Sequence, residues 1–440
     1  MKFYDREKEL ALLSKADRLK EKHSILTILI GRRRIGKTAL TLQPFETGKK
    51  VYLFVSKKDE HLLVAEFLEQ LAGSLDIPVF GEFKTFEKFF EYAMHIGMNT
   101  PFTLIIDEFQ ELGKIDGSIY AAIQKIWDLN KGKSKIHLIA CGSIYSLMKK
   151  TFEDKSEPLF GRADFKIDLQ PLRVDVLGEI LKDNGAYTNE NLLDFYAITG
   201  GVAKYVELFS LYESFDFETM LDVICDENSL FLDEGRSRLI EEFGKEYGTY
   251  FSVLSLIASS KTSRSEIESI LEKNISGHLV RLEHDYNIIR SVKPIGSKPN
   301  AKVQKYEIAD NFLAFWFRFI YKYQSIIEAK NFERLKEIIR RDFGTFKGRI
   351  LEKLFIELIK EKRVYTQIGS YWQRGNKNEI DIVAIDEADK RMLICEVKLS
   401  KKRLNMNELV AKSEKLLQKY ADFKVEYRLL SVEDIEGFDI

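Results

Sequence analysis

The sequence predicts an α/β fold: an open, doubly wound parallel sheet at the N-terminal end, helices through the middle, and a smaller α/β domain at the C-terminal end. Three observations carry this. A glycine-rich turn stands between an apolar run and a helical pattern near residue 31. A second apolar run ends in the acidic pair Asp107-Glu108. Two further apolar runs near the C-terminal end carry Asp381, Glu396 and Lys398.

The first element is Ile25-Leu26-Thr27-Ile28-Leu29-Ile30, a continuous apolar run of the kind a buried parallel strand needs. It leads into Gly31-Arg32-Arg33-Arg34-Ile35-Gly36-Lys37-Thr38, a complete G-x-x-x-x-G-K-[ST] phosphate loop, and Ala39-Leu40-Thr41-Leu42 continues as a helix. The glycines let backbone N–H groups from Gly31 to Ala39 curl around a polyphosphate. Lys37 reaches its outer oxygens, and the Thr38 hydroxyl is a ligand for Mg²⁺. The helix N-terminus adds its positive dipole end to the same anion.

The second element supplies the acids. Phe102-Thr103-Leu104-Ile105-Ile106 reads as a buried strand, and Asp107-Glu108 follow at its carboxyl end, where ligands bind in open α/β sheets. Asp107 is expected to orient Mg²⁺ and Glu108 to polarise the attacking water. Lys135-Ile136-His137-Leu138-Ile139-Ala140-Cys141-Gly142-Ser143 is a further core strand, and Ser143 is placed to touch the γ-phosphate or the water. Pro158-Leu159-Phe160-Gly161-Arg162 presents one arginine past a glycine turn. Arg162 either stabilises charge on the phosphoryl group, in a multimer or after closure, or pairs on the surface with Glu157 or Asp164.

Together with the opening Phe3-Tyr4-Asp5-Arg6-Glu7-Lys8-Glu9-Leu10 and the stretch Thr199-Gly200-Gly201-Val202-Ala203-Lys204-Tyr205, these motifs recur in a fixed order. Over roughly its first half the chain resembles the archaeal-type ATPase family, a P-loop branch near the STAND and AAA+ ATPases. The resemblance implies an ATP- and Mg²⁺-dependent NTP hydrolase with a helical lid that holds the Gly-Gly stretch. Ala203 stands where the family writes a proline.

At 440 residues the chain has room for about three domains. Hydrophobic content is 45% and charged content 31%, enough for large cores and a solvated surface. No apolar run reaches the ~18 residues a transmembrane helix requires, and the opening Met1-Lys2-Phe3-Tyr4-Asp5-Arg6 lacks the apolar stretch of a secretion signal. A cytoplasmic protein with no membrane partner is therefore expected. Cys141, Cys225 and Cys395 are scattered, as reduced thiols are, and the six histidines show no metal spacing. With 68 basic against 69 acidic residues, net charge neither requires nor excludes nucleic acid.

From about Leu172 to Glu234 an amphipathic helical pattern runs, interrupted at Gly200-Gly201. From Thr249 the outline is a winged helix-turn-helix. A helix covers Tyr250 to Ala258, and Ser263-x-x-Glu266 opens a second as a capping box. Ser276 caps a third with Leu279, Leu282 and Tyr286. The runs 288–292 and 303–308 are the wing strands, joined by a loop with Gly296, Ser297, Pro299 and Asn300. Such a module puts its third helix in a DNA groove, with His278, Arg281, Lys293 and Lys298 on phosphates or bases, or serves as a lid or protein-docking module. Glu283 and Asp285 on that helix repel phosphates. The aromatic run Phe312 to Tyr321 is read as core rather than as a base-stacking platform.

In the last hundred or so residues, Gly348 to Leu358 is helical, with Glu352 at the helix edge. The runs 379–385 and 392–398 form a hairpin. Period-2 geometry puts Glu396 and Lys398 on one face, and Asp381 on the neighbouring strand approaches Glu396. The spacing D-x₁₄-E-x-K behind a helix glutamate resembles the PD-(D/E)xK nuclease core, and the block around it is similar to DUF234, the domain that accompanies this ATPase family. The resemblance implies that Asp381, Glu396 and Glu352 bind Mg²⁺ and that Lys398 stabilises the phosphate.

The expected division is an ATPase core at 1–170, a helical lid at 171–242, a winged helix with connecting helix at 243–325 and the nuclease-like domain at 326–440. The expected function is an ATP-hydrolysing switch coupled to a Mg²⁺-dependent, DNA-binding nuclease-like domain, with a homo-oligomer or protein partner as a possible context. The alternative is a signalling or scaffolding NTPase whose C-terminal domain binds nucleic acid or protein without cleaving.

Overall fold

The computed structural model describes residues 2–45, 48–78, 81, 83–243, 247–298, 303–373, 375 and 377–439. The chain divides into two units, Phe3–Pro171 and Met1–Lys2 with Leu172–Ile440.

Five parallel strands form the sheet of the first unit: β1 (Ile25–Ile30), β2 (Lys49–Phe54), β3 (Phe102–Asp107), β4 (Ile136–Gly142) and β5 (Phe165–Asp168), in the order β2-β3-β4-β1-β5. The three inner strands are buried at every residue, which explains their unbroken apolar sequences. The edge strands β2 and β5 alternate between buried and exposed positions.

The period of two sorts side chains onto two faces. Leu26, Ile28, Leu104, Ile106, Leu138 and Ala140 join one core with Phe67, Phe89 and Trp127. Leu29, Ile105, Ile139 and Cys141 join the other with Leu13 and Leu40. Along the same strands this second face also carries Thr27, Thr103 and His137, three buried polar residues. Asp17 of the helix Glu7–Leu19 meets them. Its Oδ1 accepts from Thr103 Oγ1 and from Lys20 Nζ, each at 2.6 Å, and lies 3.6 Å from His137 Nδ1. Thr27 Oγ1 contacts His137 Nε2 at 2.9 Å. Burial pushes the Asp17 carboxyl up, but the bonds from His137, Lys20 and Thr103 outweigh it and hold the group far below the usual carboxylate range.

Register sets the functional edge. Ile30 pairs with Gly142, Ile106 with Ala140, and Phe54 with Asp107, so the strands end together. Because β4 lies between β1 and β3, the residue after it falls between the phosphate loop and the acidic pair. The chain leaves β1 for β2 on one side and β4 for β5 on the other, which makes this edge a topological switch point.

The second unit begins with the helices Val174–Asp183, Asn189–Thr199, Ala203–Leu211, Phe217–Ile224 and Phe231–Phe243. The Asn189–Thr199 helix stops at Gly200, as the Gly-Gly break predicts. Tyr247–Ala258, Arg264–Leu271 and Ser276–Val280 follow, then the antiparallel pair β6 (Ile289–Val292) and β7 (Lys305–Ile308). Ser263 caps the middle helix by accepting from Glu266 N. Ser276 does not cap the third. Asn274 Oδ1 accepts from the Ser276 N–H and hydroxyl, and Ser276 is the first helical residue. That helix passes into a π-turn at Arg281–Asp285. Of the loop between β6 and β7, Pro299 and Asn300 lie outside the described residues.

The aromatic run is core. Phe312, Phe315, Trp316, Phe317 and Phe319 are buried, Phe312 lies 4.0 Å from the Tyr205 ring, and Trp316 Nε1 donates to Leu232 O at 3.1 Å. The long helix Phe332–Lys362 leads to the strands β8 (Gln367–Gln373), β9 (Lys377–Asp386), β10 (Arg391–Val397) and β11 (Lys424–Leu430), in the order β11-β10-β9-β8. The strands β8, β9 and β10 run antiparallel; β11 is parallel to β10 and is reached through the helix Met406–Leu417.

Candidate functional site

At the carboxyl edge of the first sheet the phosphate loop takes the conformation its glycines permit. Gly36 has a φ of 99° as it opens the helix Lys37–Thr41. Lys37 is buried, with its ammonium donating to the carbonyls of Gly31 at 2.6 Å and Arg32 at 3.0 Å. Burial lowers its pKa, while Glu108 and Asp107 oppose that shift. Thr38 and Ala39 are exposed at the start of the helix, and Arg32, Arg33 and Arg34 are exposed or half-buried. The Ile35 side chain packs into the core, so only its backbone is available to a ligand.

Asp107 and Glu108 are held differently. Asp107 Oδ2 accepts from Thr38 Oγ1 at 3.0 Å and Tyr52 OH at 2.7 Å, and Oδ1 accepts from Glu108 N at 2.9 Å. The carboxylate is thereby fixed against the loop's hydroxyl, the arrangement a shared Mg²⁺ needs. Glu108 sits at φ 54°, a left-handed conformation that few non-glycine residues adopt. Ser143 Oγ lies 2.8 and 2.7 Å from its two carboxylate oxygens, and Gln110 Nε2 donates to Oε2. Ser143 thus meets Glu108. Gly142 makes this packing possible, since a Cβ there would collide with Met148 and with the Gln110 amide. Tyr52 and Gln110 belong to the site, although neither stands out in the sequence.

Arg162 is not brought to these residues. Its Nη1 donates to Phe160 O at 2.8 Å and its Nη2 to Asp128 at 3.1 Å. Neither of the acids expected as its surface partner holds it: Asp164 accepts from Leu26 N, and Glu157 lies 3.5 Å from Lys150.

In the second unit, Cys395 pairs with Ile382, so the next pair outward sets Glu396 against Asp381 on one face. Lys398 Nζ lies 2.9 Å from Asp381 Oδ2 and 2.9 Å from Glu396 Oε1, between the two carboxylates. Asp381 also accepts from Val397 N at 2.8 Å. Lys412, from the helix Met406–Leu417, adds a second ammonium 3.0 Å from Glu396 Oε1. Glu396 Oε2 is buried without a hydrogen-bond partner. Burial and the nearby Asp381 charge raise the Glu352 carboxyl well above its usual range. Burial raises Asp381 too, against the pull of Lys398. Burial works against the Lys398 charge, but the two acids outweigh it and lift its pKa. Among the described residues no three His, Cys, Asp or Glu side chains stand together as a metal cage. Asp381 and Glu396 suit a cation, but Glu352 does not complete the set.

The turn after β6 is anchored to this C-terminal sheet. Ile295 N donates to Ser370 O at 2.9 Å, and Lys419 Nζ donates to Gly296 O at 3.0 Å. On β7, Lys305 pairs with Glu379 at 2.7 Å and stands 4.5 Å above the Trp372 ring.

Two stretches of the chain match known protein families. Residues 3–209 match the model of an ATPase domain predominantly from Archaea, and residues 316–413 match DUF234, archaeal and bacterial proteins of unknown function. An uncharacterized protein of Methanocaldococcus jannaschii is 29% identical over 406 residues, covering 90% of this chain and 87% of its own. The solved Walker-type ATPase of Pyrococcus abyssi superposes with a TM-score of 0.54 at 18% identity, over 72% of this chain and 96% of that one, a likeness of fold. No helix among the described residues is long and apolar enough to cross a membrane. The chain joins an ATPase domain of the archaeal type to a C-terminal DUF234 domain.

Proposed function

We propose that the chain is an ATP-hydrolysing switch coupled to a Mg²⁺-dependent, DNA-binding nuclease-like domain, divided at 1–170, 171–242, 243–325 and 326–440. The observation that carries the ATPase half is the pairing of Thr38 with Asp107 beside a Glu108 held by Ser143 and Gln110. In this reading the backbone from Gly31 to Ala39 and the Arg32-Arg33-Arg34 segment cradle the phosphates. Lys37 turns from the loop carbonyls to the outer phosphate oxygens. Thr38 and Asp107 hold Mg²⁺, which supplies charge neutralisation on the phosphoryl oxygens. Glu108 takes the proton from water, and Ser143 fixes the angle at which its carboxylate faces that water. Arg162 acts on a neighbouring protomer's phosphate once released from Asp128.

The nuclease half rests on the convergence of Asp381, Glu396 and Lys398 and on the unpartnered Glu396 Oε2, an oxygen suited to a cation. Asp381 and Glu396 would hold the metal, without the Glu352 expected beside them, and Lys398 would stabilise charge on the phosphate. The segment 243–325 is read as a winged helix-turn-helix whose wing is committed to the C-terminal sheet.

A specific observation favours a second reading. Lys398 and Lys412 already neutralise Glu396, as they would in a signalling or scaffolding NTPase whose C-terminal domain binds without cutting. One experiment separates them: the full chain with Mg²⁺ or Mn²⁺, with and without ATP, on linear, branched and single-stranded DNA. Cleavage that Asp381→Ala abolishes while ATP turnover persists supports the nuclease reading. No cleavage of any substrate, with turnover intact and lost in Lys37→Ala, supports the second.

A further inference from the structure

The helices Tyr247–Ala258 and Ser276–Val280 enclose an open cavity of about 560 Å³. Its lining includes Lys273, His278 and Arg281 together with Thr249, Tyr250 and Gly277, and no carboxylate stands among the described lining residues. The cationic groups are positioned rather than loose. Lys273 Nζ donates to Thr249 Oγ1 at 3.1 Å, Arg281 Nη1 to Tyr250 OH at 3.4 Å, and the His278 ring lies 5.0 Å from the Tyr250 ring. A Cβ at Gly277 would meet nothing within 4 Å, so a ligand can approach the backbone there.

Of the two acids that repel phosphate in the sequence, Glu283 and Asp285, neither lines the cavity, and Glu283 is held elsewhere. Glu283 Oε1 accepts from Ser291 N at 2.9 Å and from Ser291 Oγ at 2.5 Å, which binds it to β6. The volume falls within the roughly 300–1,000 Å³ of small-molecule sites, so it has room for a phosphate and its attached sugar.

We infer that this cavity binds a phosphate group, and that the phosphate it takes is a phosphodiester of a nucleic-acid strand. Lysine supplies a compact charge, arginine a planar fork and histidine a further donor, so the pocket recognises phosphate without reading a base. This deepens the nucleic-acid reading above and rests on it for the source of the phosphate. It shifts the contact from a helix laid in a groove to a pocket between two helices, and away from Lys293 and Lys298.

The test is fluorescence anisotropy of the full chain with a labelled oligonucleotide, single-stranded and duplex, in EDTA without ATP, over a series of salt concentrations. EDTA silences both proposed metal sites, so failure of the ATPase or nuclease reading leaves this measurement untouched. Lys273→Ala with Arg281→Ala is expected to weaken binding about tenfold or more. The slope of log K against log salt should fall by about 1.8 for duplex or 1.4 for single strand. Lys293→Ala with Lys298→Ala should leave both quantities unchanged. Inorganic phosphate and AMP are titrated separately by calorimetry. Binding of either that the Lys273/Arg281 variant loses, without oligonucleotide binding, would show a pocket for free phosphate or a mononucleotide and overturn its assignment to a strand. Wild-type affinity and slope in the Lys273/Arg281 variant, or no binding of any probe, overturns the inference.

Discussion

Glu108→Gln separates the roles of charge and shape at the nucleotide site. In the native protein both Glu108 oxygens face donors: Ser143 Oγ reaches each, and Gln110 Nε2 reaches Oε2. An amide in place of the carboxylate would set an NH₂ against the Gln110 NH₂. Gln110 Oε1, however, is buried without a partner, so a flip of the Gln110 amide turns that oxygen toward the new donor. The substitution therefore costs the fold little, within about 1 kcal/mol, and Thr38, Asp107 and Lys37 keep their partners. What is lost is the base. General-base catalysis contributes about 10²–10⁴-fold, so turnover should fall at least about a hundredfold, or roughly 2.7 kcal/mol of barrier. Steady-state phosphate release measures the rate, and equilibrium binding of a fluorescent ATP analogue with Mg²⁺ checks the site. Hydrolysis at the wild-type rate, with binding intact, would remove Glu108 from the mechanism. Loss of binding would show instead that the Ser143–Glu108–Gln110 group holds the loop in shape.

Three other outcomes follow from the same reasoning. Asp17→Asn should destabilise the first unit by about 3–5 kcal/mol, because Lys20 is left buried without its counter-charge. The double change Asp17→Leu with Lys20→Met should recover much of that, read from the fluorescence of buried Trp127 during urea unfolding after Trp316 and Trp372 are replaced by Phe. The depressed Asp17 carboxyl contributes stability present above its unfolded pKa of about 3.9 and lost as pH falls toward its folded value, so the difference between wild type and Asp17→Asn should shrink in acid. If Arg162 works in trans, ATPase activity per protomer should rise with protein concentration and Arg162→Ala should flatten that rise; constant specific activity of a monomer on dilution rules this out. Lys398→Ala should retain or tighten Mn²⁺ binding by calorimetry, since two carboxylates lose their bridging ammonium, yet abolish cleavage; loss of Mn²⁺ binding would refute the shared-cation reading.

What the sequence made legible is what lies close together along the chain. The inner strands are apolar throughout because both of their faces are covered, and the loop and acid pair are read directly from their places after β1 and β3. Asp381, Glu396 and Lys398 are legible through strand periodicity and hairpin register, and their meeting in space follows. The missed residues depend on distances that no local pattern encodes. Tyr52 stands two residues before Phe54, the register partner of Asp107, so it reaches that carboxylate from a neighbouring strand; alone, it is one polar aromatic on an edge strand. Nothing beside Gln110 in the sequence shows that Gly142, far along the chain, leaves room for its amide. Between the basic residues Lys293 and Lys298 of the wing, the sequence does not reveal that Ile295 and Gly296 are anchored to β8 and Lys419. Lys412 is the clearest case. With Glu408 four residues earlier, it has the pattern of a solvated helical ion pair, and that pair exists at 3.1 Å. Only the crossover from β10 to β11 lays this helix where the same ammonium also reaches Glu396. A lysine whose spacing along the chain marks only a helical ion pair is thus the group whose charge bears on whether the C-terminal site binds a metal or only a partner.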